Sequence, residues 1–306
     1  MQAKTLIIIA GPTAVGKTSF AISLAKYFHT EVISADSRQI FRELTIGTAK
    51  PSMTELAEVK HHFVNSHSIH ESYDAAQYGR DALKLIHKLF QLHDKLILCG
   101  GSGLYIKAVC EGFDDIPEVD PHIRLALIEE YKTNGVGVLQ DKLRNLDPEI
   151  IKNIDINNPH RLIRALEIVI GTGVSITSFQ KKVKLEHDFS VIKVGLALPR
   201  QELYERIDAR MDKMIQDGLF EEAKELYHFR THNALQTVGY QEIFDFMDGR
   251  YNRDEAIRLL KQNSRRYSKR QLTWFKRDAN MIWMNPANIE EIIELILRQG
   301  SSVLLK

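Results

Sequence analysis

The chain has only two cysteines, Cys99 and Cys110, in 306 residues. That is too few for a disulfide framework, and they show no zinc-site spacing. A reducing cytoplasm is the compartment this implies. Long apolar runs are also missing: there is no window of about eighteen apolar residues, so no membrane-spanning helix is expected. The run Leu6 to Ala10 is short and leads straight into a glycine loop, so it is not expected to act as a secretory signal. Neither sign of charge dominates. Lys plus Arg number 41 against 40 Asp plus Glu, a net charge of +1, so whole-chain charge neither points to nor excludes a nucleic-acid partner. Only local patches can. What remains, 44% apolar and 26% charged residues, is globular composition. The length suits one large α/β domain with an inserted subdomain, or two domains. A soluble monomer is expected.

What is present is led by the stretch Ile7 to Thr18. An apolar β-branched run ends in Gly11-Pro12-Thr13-Ala14-Val15-Gly16-Lys17-Thr18, and Phe20, Leu24, Tyr27 and Phe28 follow at helical spacing. That order is strand, loop, helix. Glycines let backbone N–H groups curl around an anion, and the helix N-terminus adds its positive end. Lys17 supplies a mobile charge, and the Thr18 hydroxyl can hold Mg²⁺. The site therefore reads as a grip for a di- or triphosphate, of the type that binds ATP and other nucleotides.

A second strand, Glu31 to Ala35, delivers Asp36-Ser37-Arg38-Gln39 to the same rim, where ligands bind in open parallel sheets. A helix over Tyr78 to Phe90 feeds a third strand, Lys95 to Cys99, and a second glycine turn, Gly100-Gly101-Ser102-Gly103. Two later strands, Val191 to Leu198 and Met281 to Met284, complete a parallel sheet of five. The expected fold is α/β, a P-loop NTPase-like parallel sheet flanked by helices. The stretch 119–187 is helical in periodicity throughout and reads as an inserted all-helical lid, leaving 1–118 and 188–306 as the core. Its last helix carries Arg161 and Arg164 one turn apart, either a solvated face or a clamp for a leaving group. The run His61 to His70 holds four histidines with no carboxylate or cysteine at a ligand spacing, so loop or capping roles are expected rather than a metal.

Positive charge concentrates near the C-terminus. Arg258 to Arg277 contains Arg258, Lys261, Arg265, Arg266, Lys269, Arg270, Lys276 and Arg277, has no acidic residue, and interleaves Tyr267, Trp274 and Phe275. At helical spacing Arg258, Gln262, Arg265 and Lys269 share a face. A basic helix face with aromatics is the footprint of a polyanion binder, because arginine and aromatic planes stack on splayed bases.

These residues narrow the reaction without fixing it. A GTPase wants an Asn-Lys-x-Asp guanine reader, and none follows the third strand. A motor-type ATPase wants Asp-Glu after an apolar strand, where this chain has Asp36-Ser37. A small-molecule kinase, or a transferase that holds a diphosphate leaving group, stays open. An RNA-binding module with a relic loop is disfavoured by the presence of Lys17, Thr18 and Asp36.

Taken in order, the phosphate loop, Ile33-Ser34-Ala35-Asp36-Ser37-Arg38-Gln39-Ile40-Phe41-Arg42, Ile46-Gly47-Thr48-Ala49-Lys50-Pro51 and Gly100-Gly101-Ser102-Gly103-Leu104-Tyr105 resemble the successive motifs of the tRNA dimethylallyltransferases. So do Arg161-Leu162-Ile163-Arg164-Ala165-Leu166-Glu167, Val238-Gly239-Tyr240 and Lys269 to Lys276. The resemblance spans nearly the whole chain. It implies transfer of a dimethylallyl group from dimethylallyl diphosphate to N6 of adenosine 37 in the tRNA anticodon stem-loop, with Mg²⁺ and release of diphosphate. It implies Asp36 as general base, Thr13 as a positioning residue near the reacting centre, and Gly11 to Thr18 as the diphosphate site, with Thr18 toward the metal. Contacts to tRNA are implied for Asp36, Ser37, Arg38, Gln39, Ser102 and Arg124. They are implied also for His160, Arg161, Leu162, Ile163 and Arg164, and for Gln236, Thr237, Val238, Gly239, Tyr240 and Gln241. The last implied set is Lys269, Arg270, Gln271, Leu272, Thr273, Trp274, Phe275 and Lys276. An adenylate prenyltransferase would share the diphosphate site, but a mononucleotide needs no long basic surface. Four positions depart from the family pattern: Gln241 where a basic residue is common, Asn158 and His160 ahead of Arg161, and Ser102 for a threonine.

Overall fold

A computed structural model of the chain describes residues 4–114, 116–179 and 185–302. Residues 1–3, 115, 180–184 and 303–306 of the expected domains lie outside the described residues. The chain divides into two compact units, Met1–Gly112 with Glu186–Lys306, and Phe113–Leu185. The expected boundaries, 118 and 188, fall a few residues later than these. The first break follows Gly112, which closes its helix at φ +73°, a left-handed value that glycine adopts without strain.

The larger unit is built on six parallel strands in the order β3-β2-β4-β1-β5-β6. They are β1 (Thr5–Ala10), β2 (Val32–Ser34), β3 (His61–His62), β4 (Lys95–Gly100), β5 (Ser190–Leu196) and β6 (Ile282–Met284). Central β1 is buried along its whole length, as its unbroken run of apolar residues requires in a sheet covered on both faces. It pairs with β4 from Thr5↔Lys95 to Ala10↔Gly100 and with β5 from Thr5↔Ser190 to Ala10↔Gly195. The sequence predicts five strands. The sixth, β3, lies inside the histidine run and pairs only Val32↔His61 and Ile33↔His62. Two residues at an edge carry no alternation to read. β2 is also shorter than the expected 31–35, ending at Ser34.

The helices of this unit are α1 (Lys17–Tyr27), α2 (Met53–Glu58), α3 (Ala75–Leu89) and α4 (Gly103–Glu111) before the break. The smaller unit supplies α5 (Pro121–Asn134), α6 (Val136–Leu146) and α7 (Pro159–Thr172). After it come α8 (Arg200–Gln216), α9 (Leu219–Leu226), α10 (Gln241–Met247), α11 (Arg253–Phe275) and α12 (Ile289–Ser302). Two apolar cores sandwich the sheet. One joins Leu6 and Ile8 to Tyr78, Ile86 and Leu260, and the other joins Ile7 and Ile9 to Leu24, Leu203, Ile207 and Ile292. The smaller unit has its own core of Leu127, Leu139, Leu143, Leu162 and Leu166, as the expected helical insertion requires.

Candidate active site

β1 delivers the phosphate loop at the carboxyl end of the sheet. Gly11 (φ +154°), Ala14 (φ +64°) and Gly16 (φ +99°) take left-handed or otherwise rare conformations that fold the loop back on itself. A Cβ on Gly11 would stand 2.7 Å from the Leu196 carbonyl oxygen, so that position takes only glycine. Gly16 caps α1 without any side-chain hydrogen bond, which leaves the first amides of the helix for an anion. The Lys17 ammonium donates to the Pro12 carbonyl at 2.7 Å. Burial pushes that ammonium down to about 8, and the neighbouring Arg210 pushes the same way against the attraction of Cys99 and Asp36.

Arg210, on α8, is the residue the sequence reading missed. Its guanidinium donates to the Thr13 hydroxyl and lies close enough to Asp36 to feel its charge. Burial lowers its pKa, so the loop carries a second desolvated cation beside Lys17. The available signal was a charge at the edge of the apolar stripe Leu203, Ile207, Met211, Met214, all of which are buried.

Asp36 sits two residues beyond β2. Its Oδ1 accepts the amides of Arg38 at 2.9 Å and Gln39 at 3.3 Å, which fixes the carboxylate and occupies one of its two oxygens. Its charge acts on Lys17, Arg38, Arg210 and Tyr267, placing the acid among three cations and a phenol. Tyr267, pushed up to about 12 mainly by burial, is a second neighbour that the sequence reading left among stacking aromatics. The strand end beneath is anchored: Tyr78, fully buried and stacked on Tyr105 at 4.1 Å, donates to the Ser34 carbonyl at 2.9 Å. Ser102 Oγ accepts the Ser37 amide at 2.9 Å, so the second glycine turn is tied to the acid's loop. Gly100 permits this closeness, since a Cβ there would meet the Ala35 carbonyl oxygen at 2.1 Å.

The third rim segment is clamped from α9. The Glu222 carboxylate accepts the amides of Thr45 at 3.0 Å, Ile46 at 2.7 Å and Gly47 at 2.9 Å, and the Tyr240 hydroxyl at 2.6 Å. Tyr240 packs against Gly47, where a Cβ would be 2.5 Å from its ring. Gln39 then donates to the carbonyls of Thr48 and Ala49 at 3.2 and 3.1 Å, linking this clamp to Asp36.

The basic helix α11 divides in two. Lys261 pairs with Asp212 at 2.6 Å and Arg265 with Asp208 at 2.6 Å, both acids of α8, and Arg258 pairs with Glu255 at 2.6 Å. Their charge is largely spent within the protein, which corrects the single shared basic face expected from spacing. The next turns differ. Lys269, Arg270, Thr273, Trp274, Lys276 and Arg277 are exposed, with Arg270 over the Tyr267 ring at 5.6 Å and Trp274 against Gly103.

Several side chains expected to face RNA are instead interior. Tyr240 and Leu162 are fully buried, Ile163 and Phe275 nearly so, and Gln271 is 7% exposed. Gly239 is buried, and Leu272, Thr237 and Val238 are part-buried. They alternate with outward neighbours at helical or turn spacing, so they position those neighbours. Gln236 and Gln241 are exposed and bonded to each other at 2.7 Å. Within the smaller unit, Glu167 is nearly buried and accepts Arg124 at 2.8 Å and Arg164 at 3.2 Å, which aligns two half-exposed arginines from α5 and α7. His160 and Arg161 are exposed on the first turn of α7, which Asn158 caps through the Arg161 amide.

The histidine run serves the fold: His62 Nε2 meets Glu31 at 2.5 Å, and the His67 ring lies 3.8 Å from that of Tyr73. Among the described residues no cluster of three or more His, Cys, Asp or Glu stands ready for a metal. The hard oxygen at the loop, the Thr18 hydroxyl, suits Mg²⁺ shared with the oxygens of a phosphorylated ligand and water. Cys99 and Cys110 are free thiols, pushed up by burial to about 12 and about 11.

The family model described as IPP transferase matches residues 39–278. The chain belongs to the IPP transferase family. That match begins at Gln39, beyond the phosphate loop and Asp36 of this IPP transferase, whereas the following similarities run over nearly the whole chain. A tRNA dimethylallyltransferase of Cytophaga hutchinsonii is 52% identical over 293 residues, covering 96% of either chain. The tRNA dimethylallyltransferase 1 of Phocaeicola vulgatus is 48% identical, over 95% of this chain and 97% of that one. Among solved structures, the full-length tRNA isopentenylpyrophosphate transferase of Bacillus halodurans is 39% identical with a TM-score of 0.72, covering 99% of this chain and 100% of that one. A eukaryotic dimethylallyltransferase caught acting on tRNA is 25% identical with a TM-score of 0.76, over 94% of this chain and 75% of that one.

Proposed function

We propose that this IPP transferase moves a dimethylallyl group from dimethylallyl diphosphate to N6 of adenosine 37 in the anticodon loop of tRNA and releases diphosphate. The observation that carries the reading is the placement of one oriented carboxylate, Asp36, among Lys17 and Arg210 at a phosphate loop, with Thr13 held by Arg210. Breaking an allylic C–O bond leaves charge on the diphosphate, and cations and amides fixed where that charge develops lower the barrier. The loop amides, Lys17 and Arg210 are those groups. Mg²⁺ at Thr18 would share the neutralisation of that charge. An exocyclic adenine amine is a weak nucleophile, and the Asp36 carboxylate accepts its proton as the N–C bond forms.

Adenosine 37 must leave its stack to reach Asp36, at a cost of a few kcal/mol drawn from contacts elsewhere. Lys269, Arg270, Lys276 and Arg277 supply those contacts from α11, and Arg124, His160, Arg161 and Arg164 supply them from the smaller unit. No described helix is long and apolar enough to cross a membrane, and we place the reaction in the cytoplasm, on a monomer. The test is incubation with labelled dimethylallyl diphosphate, Mg²⁺ and unmodified anticodon stem-loop. Label should enter the RNA and be lost when adenine 37 is replaced. Label entering AMP instead, or phosphate moving from ATP to a metabolite, contradicts the proposal.

A further inference from the structure

The amide of Gln271 joins the phosphate loop to the second glycine turn. Its Oε1 accepts the Thr13 amide at 2.8 Å and its Nε2 donates to the Gly101 carbonyl at 3.0 Å. The residue stands on α11 between Arg270 and Trp274, both exposed, yet is itself buried. The peptide unit it holds is the one joining Pro12 to Thr13. A peptide is planar, so fixing its N–H also fixes its C=O. That carbonyl belongs to Pro12 and accepts the Lys17 ammonium, while the Thr13 hydroxyl on the far side accepts Arg210.

We infer that Gln271 is a positioning residue for the diphosphate donor, acting through the Pro12–Thr13 peptide, and is not a contact for RNA. Both cations of the cradle lean on atoms of Pro12 and Thr13, so releasing this peptide frees Lys17 and Arg210 together. The two hydrogen bonds also explain Gly101. Its backbone has no left-handed φ that would demand glycine, but a Cβ there would stand 2.4 Å from Gln271 Nε2. A side chain at 101 would push the glutamine amide off its two hydrogen bonds.

The inference rests on the reading of the loop as the diphosphate site, and the experiment separates the two. Inorganic diphosphate with Mg²⁺ is titrated into the parent, Gln271→Met and Gly101→Ala. The first variant keeps the shape of the side chain without its amide, and the second displaces an intact amide by one methyl group. Affinity for anticodon stem-loop RNA, donor KM and melting temperature are measured on the same proteins. Each variant is expected to bind diphosphate about tenfold more weakly and to raise donor KM, with RNA affinity within about twofold of the parent. The two losses are expected not to multiply in the double variant, because both act on one contact. Parental diphosphate affinity in Gln271→Met, a loss confined to RNA binding, or multiplying losses would overturn the inference alone. A parent that binds no diphosphate would overturn the reading of the loop, and this inference with it.

Discussion

Lys17 donates to the carbonyl of Pro12 at 2.7 Å, five residues back on its own loop, and burial holds its ammonium down to about 8. A multiply charged anion favours the protonated form. Diphosphate affinity should therefore be full below pH 8 and fall as pH rises through it, by up to about tenfold per unit. Lys17→Arg stays charged and should lose that slope. Calorimetry of diphosphate binding from pH 7 to pH 9.5 checks this, and identical slopes in the two proteins would remove Lys17 as the titrating group.

Arg210 feels Asp36 and bonds Thr13, so it belongs to the charge-stabilising set. Arg210→Gln should lower the single-turnover rate by about 10²–10³, the usual loss for one such donor. Stem-loop RNA should bind as tightly as before. A rate within about threefold of the parent would exclude Arg210 from the reaction.

The Glu222 clamp holds three successive amides and the Tyr240 hydroxyl. Tyr240→Phe should cost about 1 kcal/mol of stability, and Glu222→Ala about 2–3 kcal/mol, in urea unfolding. RNA affinity of Tyr240→Phe should equal the parent's. A selective loss of RNA binding at unchanged stability would return Tyr240 to the interface.

Charge on α11 gives a paired prediction. Lys269→Ala and Arg270→Ala should each weaken stem-loop binding and reduce the slope of log affinity against log salt by about one. Lys261→Ala and Arg265→Ala should leave that slope alone and lower stability, because their charges face Asp212 and Asp208. Equal slopes for the two sets would show the helix acting as one basic face.

Local pattern made the architecture legible. The β-branched run into Gly11 and the helical spacing after Thr18 specify strand, loop and helix within about two dozen residues, and the insertion announces itself by lacking strand alternation. Contacts between distant segments were illegible. Gly47 is glycine because Tyr240 lies on it, Gln271 reaches Thr13 across most of the chain, and Arg265 meets an acid on another helix. Periodicity within one helix names the face a charge occupies but not what packs there, which is why α11 reads as uniformly basic. Arg210 stayed hidden because an arginine flanking an apolar stripe looks like a solvated edge until the sheet's rim is placed beside it.

Asp36→Asn tests the central claim most directly. The variant keeps the side-chain oxygen that accepts the Arg38 and Gln39 amides but cannot take a proton. Single-turnover transfer of labelled dimethylallyl to the anticodon stem-loop should slow by about 10²–10⁴, with diphosphate and RNA affinities close to the parent's. Transfer at the parental rate with both affinities intact would show that Asp36 is not the base.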